Sequence, residues 1–202
     1  MEWFLIAFSS ALLSAVSTIS EKKILFKMDA FEFSLLNSLF NLLFTLPFLF
    51  FINASAIPNN YLLILFGKTV LNAAAFYFVM LSLKNLELSK ALPLLVLTPG
   101  FIALFAFIFM GEIITLVQVL GMGMLLLGTY ILEMQNKREF LEPFLTFFRS
   151  KNYKFIGAAL FLFTATSILD KYILKSPKVS PQVFLFYQQL FTGIIFLAAT
   201  FV

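Results

Sequence analysis

The sequence lacks both cysteine and histidine. Without them the chain cannot form a disulfide, a Cys/His zinc site, a thiolate nucleophile or a Ser-His-Asp triad. Charged residues make up only 12% of the chain and the net charge is a modest +4. The basic residues lie between apolar runs rather than on a polar face, which argues against a nucleic-acid partner. There is no phosphate-binding P-loop, so ATP is not the energy source, and we expect no cofactor.

Apolar residues are what the chain has in abundance. They make up 61% of it, with 29 Phe, and the mean hydropathy is +1.00. One small soluble core could not bury so many aromatic rings, so many of them must face lipid. The sequence therefore predicts an all-α integral membrane protein, a helical bundle, because no run shows the alternation of barrel strands. Seven stretches are long enough to span a bilayer: 3–20, 31–52, 61–83, 89–110, 113–132, 155–175 and 182–202.

The chain begins to repeat itself in its last quarter. STISEKKIL at 17–25 resembles TSILDKYIL at 166–174, and FSLLNSLF at 33–40 resembles FLFYQQLF at 184–191. These pairs predict a five-helix repeat and the first two helices of a second copy. An odd number of spans per repeat inverts that second copy.

The predicted organisation has three parts, with the long charged connection as the boundary: a first repeat over 1–134, a connecting loop over 135–152, and an incomplete second repeat over 153–202. We expect such a chain to be truncated or fragmentary. A complete seven-span protein with a chance resemblance is the rival interpretation.

The distribution of basic residues predicts the orientation. The first, third and fifth connections carry ten of the 14 Lys and Arg, which places these connections in the cytoplasm and the N-terminus outside. The expected location is the cell membrane, plasma or inner, with the lipid bilayer as partner.

The first span carries small polar residues on one helical face. Ser14 and Ser17 fall on this face, which ends in the carboxylate of Glu21. Aligned hydroxyls would suit a water-filled cavity, but small residues also allow close packing between helices. Both interpretations stay open.

Further polar residues lie inside predicted spans. Lys68 is followed one turn later by Asn72. Asn37 is followed one turn later by Asn41 and aligns with Gln188 in the repeat. A lysine at bilayer depth costs about 2.5–3.5 kcal/mol on insertion scales, so Lys68 is either functional or snorkels to the interface. If it faces a cavity, it favours an anionic or zwitterionic solute. The amides either line a cavity or bond neighbouring helices.

Residues 84–132 carry a characteristic order of features: a short turn, a helix with a central proline at Pro99, the turn Gly111-Glu112, and a last helix with Gly121 and Gly128. This order resembles the EamA-type, ten-helix members of the drug/metabolite transporter superfamily. The resemblance implies a secondary transporter, not an enzyme, with a cavity for a small-molecule solute between inverted halves, and it is compatible with a homodimer.

Pro99 should kink or loosen its span near mid-membrane, either as a hinge or as a packing kink. Glu112 is expected to lie in the first turn of the following helix, where its carboxylate would interact favourably with the positive end of the helix dipole.

The sequence also allows two other functions. A non-transporting membrane scaffold or assembly subunit is the main alternative, and an intramembrane enzyme is disfavoured because His and Cys are missing.

Overall fold

A computed structural model of the chain describes residues 2–51, 58–95, 97–134, 151–175 and 179–201. The described residues are helical and contain no strand. Their elements are α1 (Glu2–Leu25), α2 (Ala30–Thr45) followed by a 3-10 helix (Leu46–Phe51), α3 (Asn59–Asn85), α4 (Leu88–Leu95), α5 (Thr98–Met110), α6 (Leu116–Met134), α7 (Lys151–Leu174) and α8 (Pro181–Ala199).

Local sequence signals explain several helix ends. Asp29 caps α2, and its backbone N–H donates to Glu32 Oε2 at 3.4 Å, which closes a capping box. The α-helix gives way to the 3-10 helix beside Pro47, because a proline ring supplies no N–H and clashes with the carbonyl one turn earlier. Ser180 accepts from the backbone N–H of Val183 at 3.4 Å and begins α8.

Among the described residues, five helices are long and apolar enough to cross a membrane: α1, α2 with its 3-10 extension, α3, α7 and α8. The predicted fourth span is not one helix: α4 ends at Leu95 and α5 begins at Thr98. The predicted fifth span begins later than expected, at Leu116, where Thr115 and Gln118 cap α6 through mutual backbone-to-side-chain bonds of 2.8 and 3.3 Å. The expected position of Glu112 in the first turn of that helix is therefore wrong.

The central helix is α3, which packs most extensively against α7. The hydroxyl of Ser82 near the end of α3 donates to the Asn152 carbonyl at 3.3 Å. At the other end Tyr61, near the start of α3, lies against Tyr172 with ring centroids 6.5 Å apart. The two helices therefore run antiparallel.

Contacts near the helix ends also give the relative orientation of the helices that the repeat relates, α1 with α7 and α2 with α8. The ammonium of Lys22 donates to the Leu86 carbonyl at 2.8 Å, so α1 ends where α3 ends, and α7 begins at that same end. Thus α1 and α7 point in opposite directions. An ion pair of Asp29 with Lys84 puts the start of α2 at this end too. The end of α8 lies there as well, since Phe196 contacts Phe31 at 6.1 Å between centroids.

Both repeat pairs are therefore inverted, as the fold prediction requires. The proposed boundaries at 134/135 and 152/153 stay predictions: residues 135–150 of the predicted loop lie outside the described residues, and 151–152 already belong to α7.

Two apolar clusters hold the described helices together, one near each end of α3. The first contains Leu25, Ala30, Phe33, Val79, Met80, Leu83, Ala91, Ile156 and Ala159. The second contains Leu65, Ile173, Val179 and Phe184. The stretch of α3 from residue 66 to residue 78 lies between them, and the polar residues of the bundle gather there.

Candidate functional site

A polar cavity of about 100 Å³ lies where α2, α3 and α8 meet. At roughly 30 Å³ per water molecule, it has room for a few waters or a small solute. Its lining is mostly amides and hydroxyls: Asn37, Ser38, Asn41, Asn72, Phe76, Gln188, Gln189 and Thr192. Asn72 is 13 residues from either end of α3, about 20 Å at the helical rise, so the cavity lies near the middle of the span.

The amides of this cavity have hydrogen-bonding capacity to spare. In the part of the chain that the structure describes, the side chains of Asn37, Asn41, Asn72 and Gln189 make no hydrogen bond to the protein. By contrast, buried hydroxyls are satisfied within their own helices, as Ser34 is by Ala30 O at 2.7 Å and Thr69 by Leu65 O at 2.6 Å. Asn41 is exposed and the other three are partly exposed, so a solute or water can reach these amides and supply the missing partner.

Lys68 lies one turn from Asn72 and is 1% exposed. Its ammonium forms an ion pair with Asp170 of α7, donates to Gln188 Oε1 at 2.7 Å, and lies over the Phe184 ring at 4.6 Å from the centroid. The alternative that Lys68 snorkels to the interface is therefore wrong. Its three partners on α7 and α8 hold it inside the bundle.

The neighbouring residues of α7 face different partners. Asp170 meets Lys68, whereas Lys171 forms an ion pair with Glu112 in the segment that follows α5. The pairing of Asp170 could not be foreseen from the sequence, because adjacent helical residues point about 100° apart and the sequence does not give the rotation of α7.

Ser14 and Ser17 do not reach this cavity. Both are exposed on α1, and Ser17 donates to Glu21 at 2.9 Å along the same helix. The structure thus brings Asn37, Asn72 and, through Gln188, Lys68 together, and leaves the serines apart. Their role in a cavity stays a prediction.

Pro99 occupies the first turn of α5, directly after the interruption of span four. A proline is tolerated there because the first helical N–H groups have no partner within the helix. Its role as a hinge stays a prediction. Next to this break lies a second, largely apolar cavity of about 420 Å³, between α4, α5 and α7, lined among others by Phe101, Phe105, Ile156, Leu160 and Phe161.

Four residues of the polar cavity were missed at the sequence level: Ser38, Gln189, Thr192 and the aromatic Phe76. A usable signal existed for Thr192. It lies four residues after Gln188, as Asn41 does after Asn37, so each pair shares a helical face. Polar pairs at that spacing in two apolar spans indicate facing surfaces.

The described helices form inverted pairs around a polar cavity near the middle of the membrane span. This architecture is typical of multi-pass α-helical proteins of the secondary-transporter class. The comparison with known families agrees: the family described as EamA-like transporter family matches residues 1–134. The chain belongs to the EamA-like transporter family, and the resemblance to drug/metabolite transporters is confirmed. No curated protein and no solved structure was found to match it.

Membership makes the chain a multi-pass membrane protein of a transporter family rather than of an enzyme family. Its partners in this context are the lipid bilayer and a small solute.

Proposed function

We propose that the protein is a secondary transporter that moves a small metabolite across the cell membrane by alternating access. The observation that carries this proposal is the cavity of unpaired amides between α2, α3 and α8. Two of these helices belong to the first repeat and one to the second. A solute bound between them touches both halves, and a relative movement of the halves can expose it to either side.

Two ion pairs join α7 to the first repeat near the end of α7. Lys68–Asp170 connects it to α3, and Lys171–Glu112 connects it to the segment after α5. These contacts support a state in which the end near Asp170 is held closed, and release of both pairs would open it.

The test is solute flux in liposomes containing the full chain. A panel of radiolabelled small metabolites is offered under an imposed gradient, and Asn72→Ala is compared with Asn60→Ala. Asn72 faces the cavity, whereas Asn60 is exposed at the start of the same helix. We expect flux to fall at least about tenfold for Asn72→Ala, since hydrogen bonds to a buried solute are lost, and to persist for Asn60→Ala.

Failure of the wild-type protein to move any solute would favour a scaffold or assembly subunit instead. Equal loss of flux in both variants would indicate impaired insertion rather than a solute site. The proposed orientation places the shared end of α1 and α3 in the cytoplasm, following the basic connections, and a homodimer remains a further prediction.

A further inference from the structure

The charge balance around the polar cavity narrows the kind of solute it can hold. None of the described residues that line it carries a charge; they supply amides, hydroxyls and one aromatic ring. The nearest cation is Lys68, one turn from Asn72, and it contacts the carboxylate of Asp170. The pair contributes no net charge. Lys68, which the sequence alone suggested as a partner for an anionic solute, is already paired with Asp170.

The hydrogen bond from Lys68 also determines which group of the Gln188 amide is available in the cavity. An ammonium group is a donor only, so the oxygen of the Gln188 amide must face Lys68, at 2.7 Å. The amide nitrogen, with its two hydrogens, is left for another acceptor. Gln188 lines the cavity and there meets Asn37 and Asn72, whose amides offer both donors and acceptors.

We propose that this cavity binds an uncharged polar solute, a small molecule with amide or hydroxyl groups, and that the Lys68–Asp170 pair excludes charged solutes. The proposal rests on the transporter function above and names its solute class. Among the described residues an anion would meet no free cation at this site, and a cation no free carboxylate, so each would lose its hydration without gaining a counter-charge. A neutral solute loses only hydrogen bonds to water, which the amides replace.

Four isosteric probes test the charge requirement: lactamide is neutral, lactate an anion, alaninamide a cation and alanine a zwitterion. Binding is measured by calorimetry on the full chain in lipid nanodiscs, without a gradient. We expect lactamide to bind at least about tenfold more tightly than each charged probe. Equal or tighter binding of lactate, alaninamide or alanine would overturn the proposal, and so would absence of lactamide binding.

A charge-switch variant tests the role of the ion pair itself. Asp170→Asn keeps the shape of the side chain and frees the ammonium of Lys68, so we expect lactate to gain at least about tenfold in affinity relative to lactamide. The double variant Lys68→Met with Asp170→Asn removes both charges, and the preference for lactamide should return. Unchanged preference in a folded Asp170→Asn protein, judged by a single gel-filtration peak, would overturn the assigned role of the pair.

Should Asp170→Asn fail to fold, the four-probe comparison in the wild-type protein still decides the solute class. Failure of this inference and failure of the transporter function are distinguishable, because binding and flux are separate measurements. A protein that binds lactamide selectively but moves no solute keeps the inference and loses the transport function. A protein that moves lactate as fast as lactamide keeps the transport function and loses the inference.

Discussion

At the scale of single residues, the ion pair of Lys68 with Asp170 is the most consequential contact of the bundle. Lys68 is 1% exposed, and the side chain of Asp170 is 31% exposed, so removing Lys68 leaves a partly buried carboxylate without its counter-charge. We expect Lys68→Met to lower the free energy of unfolding by about 1–3 kcal/mol. Denaturant unfolding in detergent micelles measures it.

The control for this prediction is Lys68→Met combined with Asp170→Asn, in which neither charge remains. Most of the lost stability should return, because the penalty comes from the unpaired carboxylate rather than from a missing attraction. If single and double variants were equally unstable, shape rather than charge would dominate at this position.

Lys22 holds the end of α3 through three backbone carbonyls. Its ammonium donates to Leu83 O, to Lys84 O at 3.3 Å and to Leu86 O at 2.8 Å, which satisfies acceptors that a helix end leaves without partners. We expect Lys22→Met to cost about 1–2 kcal/mol and to speed amide hydrogen exchange in the last turn of α3. The adjacent, exposed Lys23 provides the control: Lys23→Met should leave exchange there unchanged.

At the scale of elements, the broken fourth span lends itself to a direct test. Pro99 cannot donate to the Leu95 carbonyl, and its ring would clash with that carbonyl in a continuous helix. We expect Pro99→Ala to favour one helix across α4 and α5. Spin labels on Lys90→Cys and Phe107→Cys should then separate towards about 26 Å, the length of 17 straight helical steps.

The absence of native cysteine makes this labelling specific. Pro58→Ala is the control, because Pro58 precedes α3 and should leave the distance between the two labels unchanged. A distance that is the same with and without Pro99 would show that neighbouring packing, not the proline, interrupts the span.

Two glycines in this region have different reasons to be glycine. Gly111 ends α5 with φ of 65°, a left-handed conformation that costs other residues about 1–2 kcal/mol. Gly128 is helical, and a Cβ there would meet no described atom within 4 Å. The same holds for Gly121 and Gly123, so none of these three glycines is required by a close contact with the described residues. We expect Gly111→Ala to destabilise and Gly128→Ala to be neutral or stabilising by up to about 1 kcal/mol, measured by thermal unfolding.

At the scale of the whole molecule, the inversion of the repeat pairs predicts which segments share a side of the membrane. Phe26 follows α1 and Asn85 is the last residue of α3, and these two helices end together, whereas Lys175 follows α7 at the other end. We expect single cysteines at positions 26 and 85 to react with an impermeant maleimide from one side of the membrane, and one at position 175 from the opposite side. Accessibility of positions 26 and 175 from the same side would contradict the inverted arrangement.

Much of the architecture could be read from the sequence because lipid enforces it. Long apolar runs between charged connections specify spans, and the matching strings at 17–25 and 166–174 indicate the inverted pairs. The break between Leu95, where α4 ends, and Thr98, where α5 begins, was harder to predict, because hydropathy continues unbroken along this part of the sequence and only Pro99 signals a disturbance. Which way a helix turns its polar face depends on neighbours far away in the chain.

The candidate site could also be predicted from the sequence only in part. Asn37, Asn72 and Lys68 were identified because polar groups inside apolar spans are conspicuous. Ser14 and Ser17 were equally conspicuous, yet they lie on the exposed side of α1. The carboxylate that neutralises Lys68 belongs to a helix more than 80 positions away, and no local pattern links the two.

The divergent grips of Asp170 and Lys171 have a mechanical consequence. The two side chains project about 100° apart around the axis of α7 and pair with different partners. Rotation of α7 about its axis would therefore break both ion pairs. Such a rotation would also affect Gln188 on α8, because Lys68 donates a hydrogen bond to its amide oxygen. A rotation of α7 would therefore change its contacts with α3, with the segment after α5 and, through Lys68, with α8.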